Sequence, residues 1–319
     1  MKVIGDNVPS SRYRAFMNQH LTIQDVKEGF RHATVLAYQN REAVWHQLRN
    51  LFCNSNVLQS SIRANKGILV KGVEITSSIM CEALEYFCRA FYNFLAQDKL
   101  IEHGYSTWSE ITNYYASFFS IHSLLRLQGR CITRIWRPGR RQFYIFPNSF
   151  KDHEYVVCVE GKPTHDAAWD RYYEIYDGFS YDINIEFETI YKKKYVGRPD
   201  EEIDFRNQRN YEPYQGYEEI RDPELIQKMI RKYEDKKFAE CEIHLLSSLT
   251  TDPDYRYYAR SALRLIFSYT LLRDVASENS RLNALLGSRR SAMQHFLSQV
   301  GPRKEDEALT RRLSATMKL

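Results

Sequence analysis

Long apolar runs are missing from this sequence of 319 residues, in which no stretch of 18 uncharged apolar residues occurs. Because a transmembrane helix needs about 20 such residues, the sequence predicts no membrane-spanning segment and no membrane partner. The first ten residues hold one lysine and no apolar core, which is not the pattern of a secretory signal. Six cysteines are scattered without the regular spacing of a disulfide scaffold, which is typical of reduced thiols. We therefore expect a cytoplasmic protein.

The common motifs of catalytic and cofactor sites are also absent. The sequence has no glycine-rich phosphate loop, no CxxC pair and no G-x-S-x-G elbow. Cys81 and Cys88 are seven positions apart and so share a helix face, where thiols fill a core more often than they bind metal. The sequence therefore predicts no metal site and no cofactor. Hydrophobic residues make up 43% and aromatic residues 14% of the chain, which excludes a disordered protein.

Acidic residues are missing from one long segment, the 41 residues between Glu110 and Asp152. This segment carries seven basic residues, whereas the whole chain has a formal net charge of only +5, so the remainder is slightly acidic. Guanidinium groups beside flat aromatic faces suit phosphate contact and base stacking. The resulting nucleic-acid-binding candidates are Arg130, Arg134, Trp136, Arg137, Arg140 and Arg141. The alternative is that these arginines pair with the nine acids between Asp200 and Glu224.

Hydrophobic periodicity predicts a mainly α protein, a helical bundle with a small antiparallel β insertion at about residues 131–195. Apolar residues three and four apart predict helices within 22–52 and 76–95, separated by a polar connection at 54–72. The best-marked helix is predicted at 108–128, with a Thr107-x-x-Glu110 capping box at its start and Gly129 as its stop. Period two then predicts strands at 142–146, 155–160 and 181–191. Further helices are expected over about 223–249, 254–274 and 281–299.

In domain terms, the pattern divides the chain into three parts. Residues 1–130 and 200–319 are the two parts of a helical domain, and residues 131–199 are an antiparallel β insertion that carries the basic segment.

The best-marked helix contains the segment NYYASFFSIHSLL at residues 113–125. It resembles the second helix of HEPN-superfamily domains, whose pattern runs Tyr-Tyr-Ala-x-Phe, then an Ala/His-containing turn, then Leu-Leu. Small residues at 116, 117, 120 and 123 would let a partner helix approach closely while the aromatic side chains fill the core. An ordinary buried, aromatic-rich helix is the alternative interpretation. The resemblance implies a helical, dimeric domain with this helix at its centre.

A second segment, RNQRNY at residues 206–211, resembles the HEPN signature of an Arg, a polar residue and, after a spacer of four to six residues, a His. In that family's ribonucleases, the Arg and His of two protomers face each other across a dimer groove and cleave RNA without metal. The resemblance implies catalytic roles for Arg206 and Asn207, with Tyr211 where the His is expected. Because tyrosine titrates at about 10, it is a poor base at neutral pH. A surface loop with ordinary hydrogen bonds is the alternative.

Arg290 and His295 form another Arg-to-His pair, on a predicted helix. A five-residue offset on a helix turns two side chains about 140° apart, so this pair would need a bend or a second subunit to act together.

Together these patterns favour a HEPN-like, RNA-directed protein of a bacterial defence or toxin system. The more specific expectation is that it is a metal-independent ribonuclease. The expected partners are RNA or another nucleic acid, together with a protein partner or a second copy of the chain. The alternative is a catalytically inert interaction subunit of a defence or nucleic-acid-processing complex.

Overall fold

The computed structural model of the protein describes residues 1–8, 17, 21–33, 48, 52, 67–134, 142–176, 199–211 and 256–300. These residues form seven helices and a five-stranded antiparallel sheet, which confirms the predicted mainly α fold with a small β element. The strands are β1 (Lys2–Val8), β2 (Gly67–Lys71), β3 (Cys131–Arg134), β4 (Gln142–Ser149) and β5 (Glu154–Glu160). The helices are α1 (Ile23–Arg31), α2 (Val73–Glu102), α3 (Ser106–Leu127), α4 (Thr164–Tyr176), α5 (Pro199–Tyr211), α6 (Arg256–Ser277) and α7 (Ser280–Val300).

The chain forms two compact units. Unit 1 comprises residues 1–86, 121–181 and 271–285, and it contains the sheet. Unit 2 comprises residues 87–120, 182–270 and 286–319, and its described part is helical.

The sheet of unit 1 has the strand order β1-β2-β5-β4-β3, and every neighbouring pair is antiparallel. The strands predicted at 142–146 and 155–160 are confirmed as β4 and β5, while the strand predicted at 181–191 lies outside the described residues. Two strands, β1 and β2, come from residues far outside the predicted β insertion. The interpretation of 54–72 as a polar connection is wrong for β2, because its three apolar residues, 68–70, are too few to show a period but form the second strand of the sheet.

Helix α3 starts two residues before the predicted start at 108 and ends one residue before the predicted end at 128. Because the helix begins at Ser106, the predicted cap residue Thr107 lies inside the first turn. A complete capping box occurs instead at α1, where Thr22 Oγ1 accepts from the Asp25 backbone and Asp25 accepts from the Thr22 backbone.

Gly129 ends α3 as predicted, with a left-handed φ of +67°. The N–H of Gly129 donates to Arg126 O at 2.8 Å and that of Arg130 donates to Leu125 O at 2.9 Å, the two bonds of a Schellman cap. A Cβ at position 129 would lie 2.7 Å from a ring carbon of Phe150, so the neighbouring ring also requires glycine here.

Small polar residues of α3 permit close helix contacts, as expected. Within unit 2, Ser268 Oγ on α6 donates to Ser120 O at 3.2 Å, and Arg264 donates to Ser117 Oγ. Within unit 1, Ser123 Oγ donates to Ala83 O on α2 at 2.8 Å. Such bonds to main-chain carbonyls require the helices to approach closely, which larger side chains at these positions would prevent.

Candidate functional site

The segment at 206–211 lies on helix α5, not in a loop. This helix was missed because its sequence, PDEEIDFRNQRNY, has too few apolar residues to show a helical period. Its start does carry a signal, namely proline at the first helical position followed by an acidic run at 200–202, which complements the positive end of the helix dipole.

Arg206 connects the two segments that carry the HEPN resemblance. Its Nη2 donates to Tyr115 Oη on α3 at 3.3 Å, across 91 positions of sequence. Its Nη1 donates to Asn207 Oδ1 at 2.9 Å. The residue as a whole is half-buried, and these two contacts orient its guanidinium. Tyr211 is the last residue of α5, and its side chain lies outside the described part.

Helix α6 directs three arginines, each four residues from the next, toward two glutamates of α5. Arg256 Nη1 lies 3.1 Å from Glu201 Oε1, and Arg264 Nη1 lies 2.9 Å from Glu202 Oε1. Arg260 Nη1 lies 3.2 Å from a Glu201 oxygen and 3.5 Å from a Glu202 oxygen. Three guanidinium groups therefore meet two carboxylates, and the buried Arg260 and Arg264 require these counter-charges because an unpaired buried cation is costly.

Tyr257 lies between these arginines and an aromatic residue of α5. Its ring stacks on Phe205 with centroids 3.8 Å apart and an interplanar angle of 21°. The guanidinium carbons of Arg256 and Arg260 lie 4.8 and 5.7 Å from the ring centroid. Burial raises the pKa of Tyr257, so the phenol stays protonated at neutral pH. Unit 2 thus brings stacked aromatic rings and guanidinium groups together, and Glu201 and Glu202 pair with those guanidinium groups.

This α5–α6 pairing also bears on the acidic stretch. Glu201 and Glu202 belong to the acidic stretch that is the alternative partner of the basic segment. Each pairs with arginines of α6, whose R-x-x-x-R-x-x-x-R spacing places them on one helix face.

Arg130 is not on a surface, which corrects its assignment as a nucleic-acid contact. The side chain is fully buried, and its Nη1 donates to Met17 O at 2.6 Å and to Tyr144 Oη at 3.0 Å. The aromatic residues Phe143, Tyr144 and Phe146 are core residues of β4, so they offer no exposed stacking face.

The other candidates of the basic segment stay predictions. Arg134 is the last residue of β3, opposite Gln142, and its side chain lies outside the described part. Trp136, Arg137 and the remaining candidates, Arg140 and Arg141, also lie outside the described residues.

Arg290 and His295 lie on α7, and both side chains are exposed. The helix is continuous through both positions, so the expected divergence of about 140° holds for this pair within one chain.

A buried ionic network in unit 1 was not anticipated from the sequence. Arg126 Nη2 lies 2.7 Å from Glu82 Oε2, and its guanidinium carbon lies 4.1 Å from the Tyr86 ring centroid. Arg126 Nη1 also lies 3.2 Å from His122 Nδ1. Because arginine can only donate, His122 Nδ1 must accept, which puts the imidazole proton on Nε2. Burial lowers the pKa of His122 well below 6.5, and the charges of Arg126 and His165 lower it further, so the imidazole is neutral.

Comparisons of this chain with protein-family models, with curated proteins and with solved structures found no match. Within the described ranges, no three His, Cys, Asp or Glu side chains are grouped so that they could hold a metal ion. None of the described helices has both the length and the apolar character needed to cross a bilayer.

Proposed function

We propose that the chain is a HEPN-like protein that acts on RNA, as part of a bacterial defence or toxin system. The observation that supports this most is the hydrogen bond from Arg206 to Tyr115, because it joins the two separate segments on which the resemblance rests.

In this proposal Arg206 stabilises the negative charge that builds up on a phosphate during RNA cleavage. The guanidinium of a half-buried residue is suited to the task, since it is held in place by Asn207 and Tyr115 and is less screened than an exposed one. Cleavage also needs a group that removes the 2′-hydroxyl proton. Tyr211 occupies the position of the expected His, and an ordinary phenol removes protons poorly at neutral pH.

The test of ribonuclease activity is incubation of the full chain with labelled single-stranded RNA in EDTA. Wild type should cleave, Arg206→Ala should not, and Arg281→Ala, which removes an exposed arginine of α7, should cleave like wild type. Tyr115→Phe removes the acceptor of the Arg206 bond and keeps the ring, so it should slow cleavage less than Arg206→Ala. Equal cleavage by wild type and Arg206→Ala would contradict the catalytic role.

The second candidate function is a catalytically inert interaction subunit of a defence or nucleic-acid-processing complex, and the tyrosine at position 211 favours it. This candidate predicts no cleavage by wild type. It also predicts salt-sensitive RNA binding that is lost when Arg137, Arg140 and Arg141 are changed together to Ala. A wild-type protein that neither cleaves nor binds RNA would rule out both candidates as stated.

A further inference from the structure

One side of helix α3 is open to solvent, although most of the helix is buried. Between Asn113 and Leu127, the residues Tyr115 and Phe119 are half-buried, and all the others are buried. In the first turn of the same helix, Trp108 is 60% exposed. Positions 108, 115 and 119 are seven and four residues apart, so they lie on one side of the helix. These three residues form an aromatic strip.

Two arginines from neighbouring helices contact the aromatic strip. The guanidinium carbon of Arg89, an exposed residue of α2, lies 5.6 Å from the centroid of the Phe119 ring. Arg206 of α5 donates to Tyr115 Oη at 3.3 Å. The rings of Tyr115 and Phe119 stack with centroids 6.0 Å apart and an interplanar angle of 29°. A series of contacts within unit 2 therefore joins the two guanidinium groups through two aromatic rings.

We propose that the aromatic strip stacks the bases of single-stranded RNA, while Arg89 binds a phosphate next to the one that Arg206 contacts. This inference rests on the proposed action of Arg206 on RNA, and it extends that site from one phosphate contact to a path for the strand. Aromatic faces beside guanidinium groups are the means by which proteins hold unpaired nucleotides. From Trp108 to Phe119 the strip is about 16 Å long, which exceeds the spacing of about 3.4 Å between stacked nucleotides of one strand.

The chemistry of the strip favours a single strand over a duplex or a protein. In a duplex, each base is covered by its neighbours, whereas the splayed bases of a single strand can stack on aromatic side chains. A phenol hydroxyl and a ring face are neutral, so the two contacts described above do not cancel the positive charges of Arg206 and Arg89. An apolar protein surface would leave those charges without a counter-charge, but RNA supplies a phosphate for each.

The test is fluorescence anisotropy of the full chain with labelled RNA that carries 2′-O-methyl groups, which block cleavage through the 2′-hydroxyl. Trp108→Leu and Phe119→Leu should each weaken binding of the single strand about 5- to 150-fold, the loss expected when one base loses its stacking partner. Trp108→Phe keeps an aromatic face and should retain most of the affinity. Because Trp108 is exposed, neither change at this position should disturb folding. Ile4→Ala, which shortens an exposed apolar residue of β1, should leave the affinity unchanged.

Salt and an abasic strand separate the stacking contacts from the charge contact. Trp108→Leu should leave the slope of log affinity against log salt unchanged. Arg89→Met should lower that slope by about 0.7, and Arg89→Lys, which keeps the charge, should preserve it. An abasic strand keeps the sugars and phosphates but has no bases, so it should bind wild type and Trp108→Leu equally.

The outcomes distinguish this inference from the proposed function. Binding that is weakened by Arg206→Ala, but by neither Trp108→Leu nor Arg89→Met, would overturn the strip and leave the proposed function standing. No binding by wild type would contradict both. Equal affinity of wild type for the single strand and for a duplex of the same sequence would overturn the strip alone. So would a Trp108→Leu variant that keeps its RNA affinity and changes its sedimentation coefficient, since the strip would then be a protein contact.

Discussion

Replacing Glu82 by Gln should destabilise the protein by about 3 kcal/mol, because it leaves the Arg126 guanidinium buried without a counter-charge. The two side chains are 11% and 2% exposed, and Arg126 Nη2 and Nε each lie 2.7 Å from Glu82 Oε2. Breaking a buried ion pair costs about 3–5 kcal/mol, whereas an exposed pair is worth about 0–1 kcal/mol. Glutamine keeps the side-chain size and one acceptor oxygen, so the lower end of the buried range applies. In urea unfolding followed by circular dichroism, the midpoint should fall by about 1–3 M.

A double-mutant cycle tests whether the loss comes from the pair itself. Arg126→Met should also be strongly destabilising, since it leaves Glu82 unpaired. The double variant should lose less than the sum of the single losses, with a coupling of about 2 kcal/mol. The exposed pair of Lys162 with Asp170 is the matched control, and Lys162→Met should cost less than about 1 kcal/mol. A loss below about 1 kcal/mol for Glu82→Gln would contradict the burial argument.

Three further predictions concern stability. The pKa of His122 is held well below 6.5, so at acidic pH the unfolded chain binds a proton that the folded chain does not. The free energy of unfolding should therefore be highest above about pH 6.5 and should decrease at lower pH by up to about 1.4 kcal/mol per pH unit. His122→Gln should reduce that decrease, as measured by unfolding curves at pH 7 and pH 5. Gly129→Ala should lower the free energy of unfolding by about 2–5 kcal/mol, because the penalty for a left-handed φ adds to the penalty for overpacking against Phe150. Adding Phe150→Leu should recover part of that loss in the same urea assay. Thr22→Ala should lower the free energy of unfolding by about 1 kcal/mol, because it removes the capping box of α1. In thermal unfolding this loss should be the same at every pH between 6 and 8.

Features with a strong local cause were predictable from the sequence. The core helix α3 was found within two residues, because its aromatic periodicity is long and Gly129 is a distinct stop. Strands β4 and β5 are predictable because each is a short run rich in apolar aromatic and β-branched residues, which is a local signal. In each case the residues that decide the element lie within it or next to it.

Features that depend on distant partners were not predictable. β1 and β2 are strands because they pair with each other and β2 also pairs with β5, and neither segment carries a local signal of that pairing. The charge pattern predicts Arg130 as a nucleic-acid contact, because it cannot reveal that the guanidinium donates to Met17 O and Tyr144 Oη in the interior. Local charge density therefore gave the wrong location for this arginine.

In the candidate site, too, local features were predictable from the sequence and contacts between distant residues were not. The resemblance singled out Arg206 and the α3 segment separately, but only the fold brings Arg206 to Tyr115. The three α6 arginines were overlooked, although their spacing was visible, because their meaning depends on Glu201 and Glu202, which lie more than 50 positions earlier in the chain.

The most direct test of the central claim is the affinity of the full chain for single-stranded RNA as a function of salt. Fluorescence anisotropy should show binding by wild type, and Arg206→Ala should weaken it about 10- to 100-fold, the loss expected for a charge-assisted hydrogen bond to phosphate. The slope of log affinity against log salt should fall by about 0.7 for the one phosphate contact removed. Arg281→Ala should keep both the wild-type affinity and the wild-type slope. An absence of binding by wild type, or an equal effect of the two substitutions, would contradict the proposal that Arg206 acts on RNA.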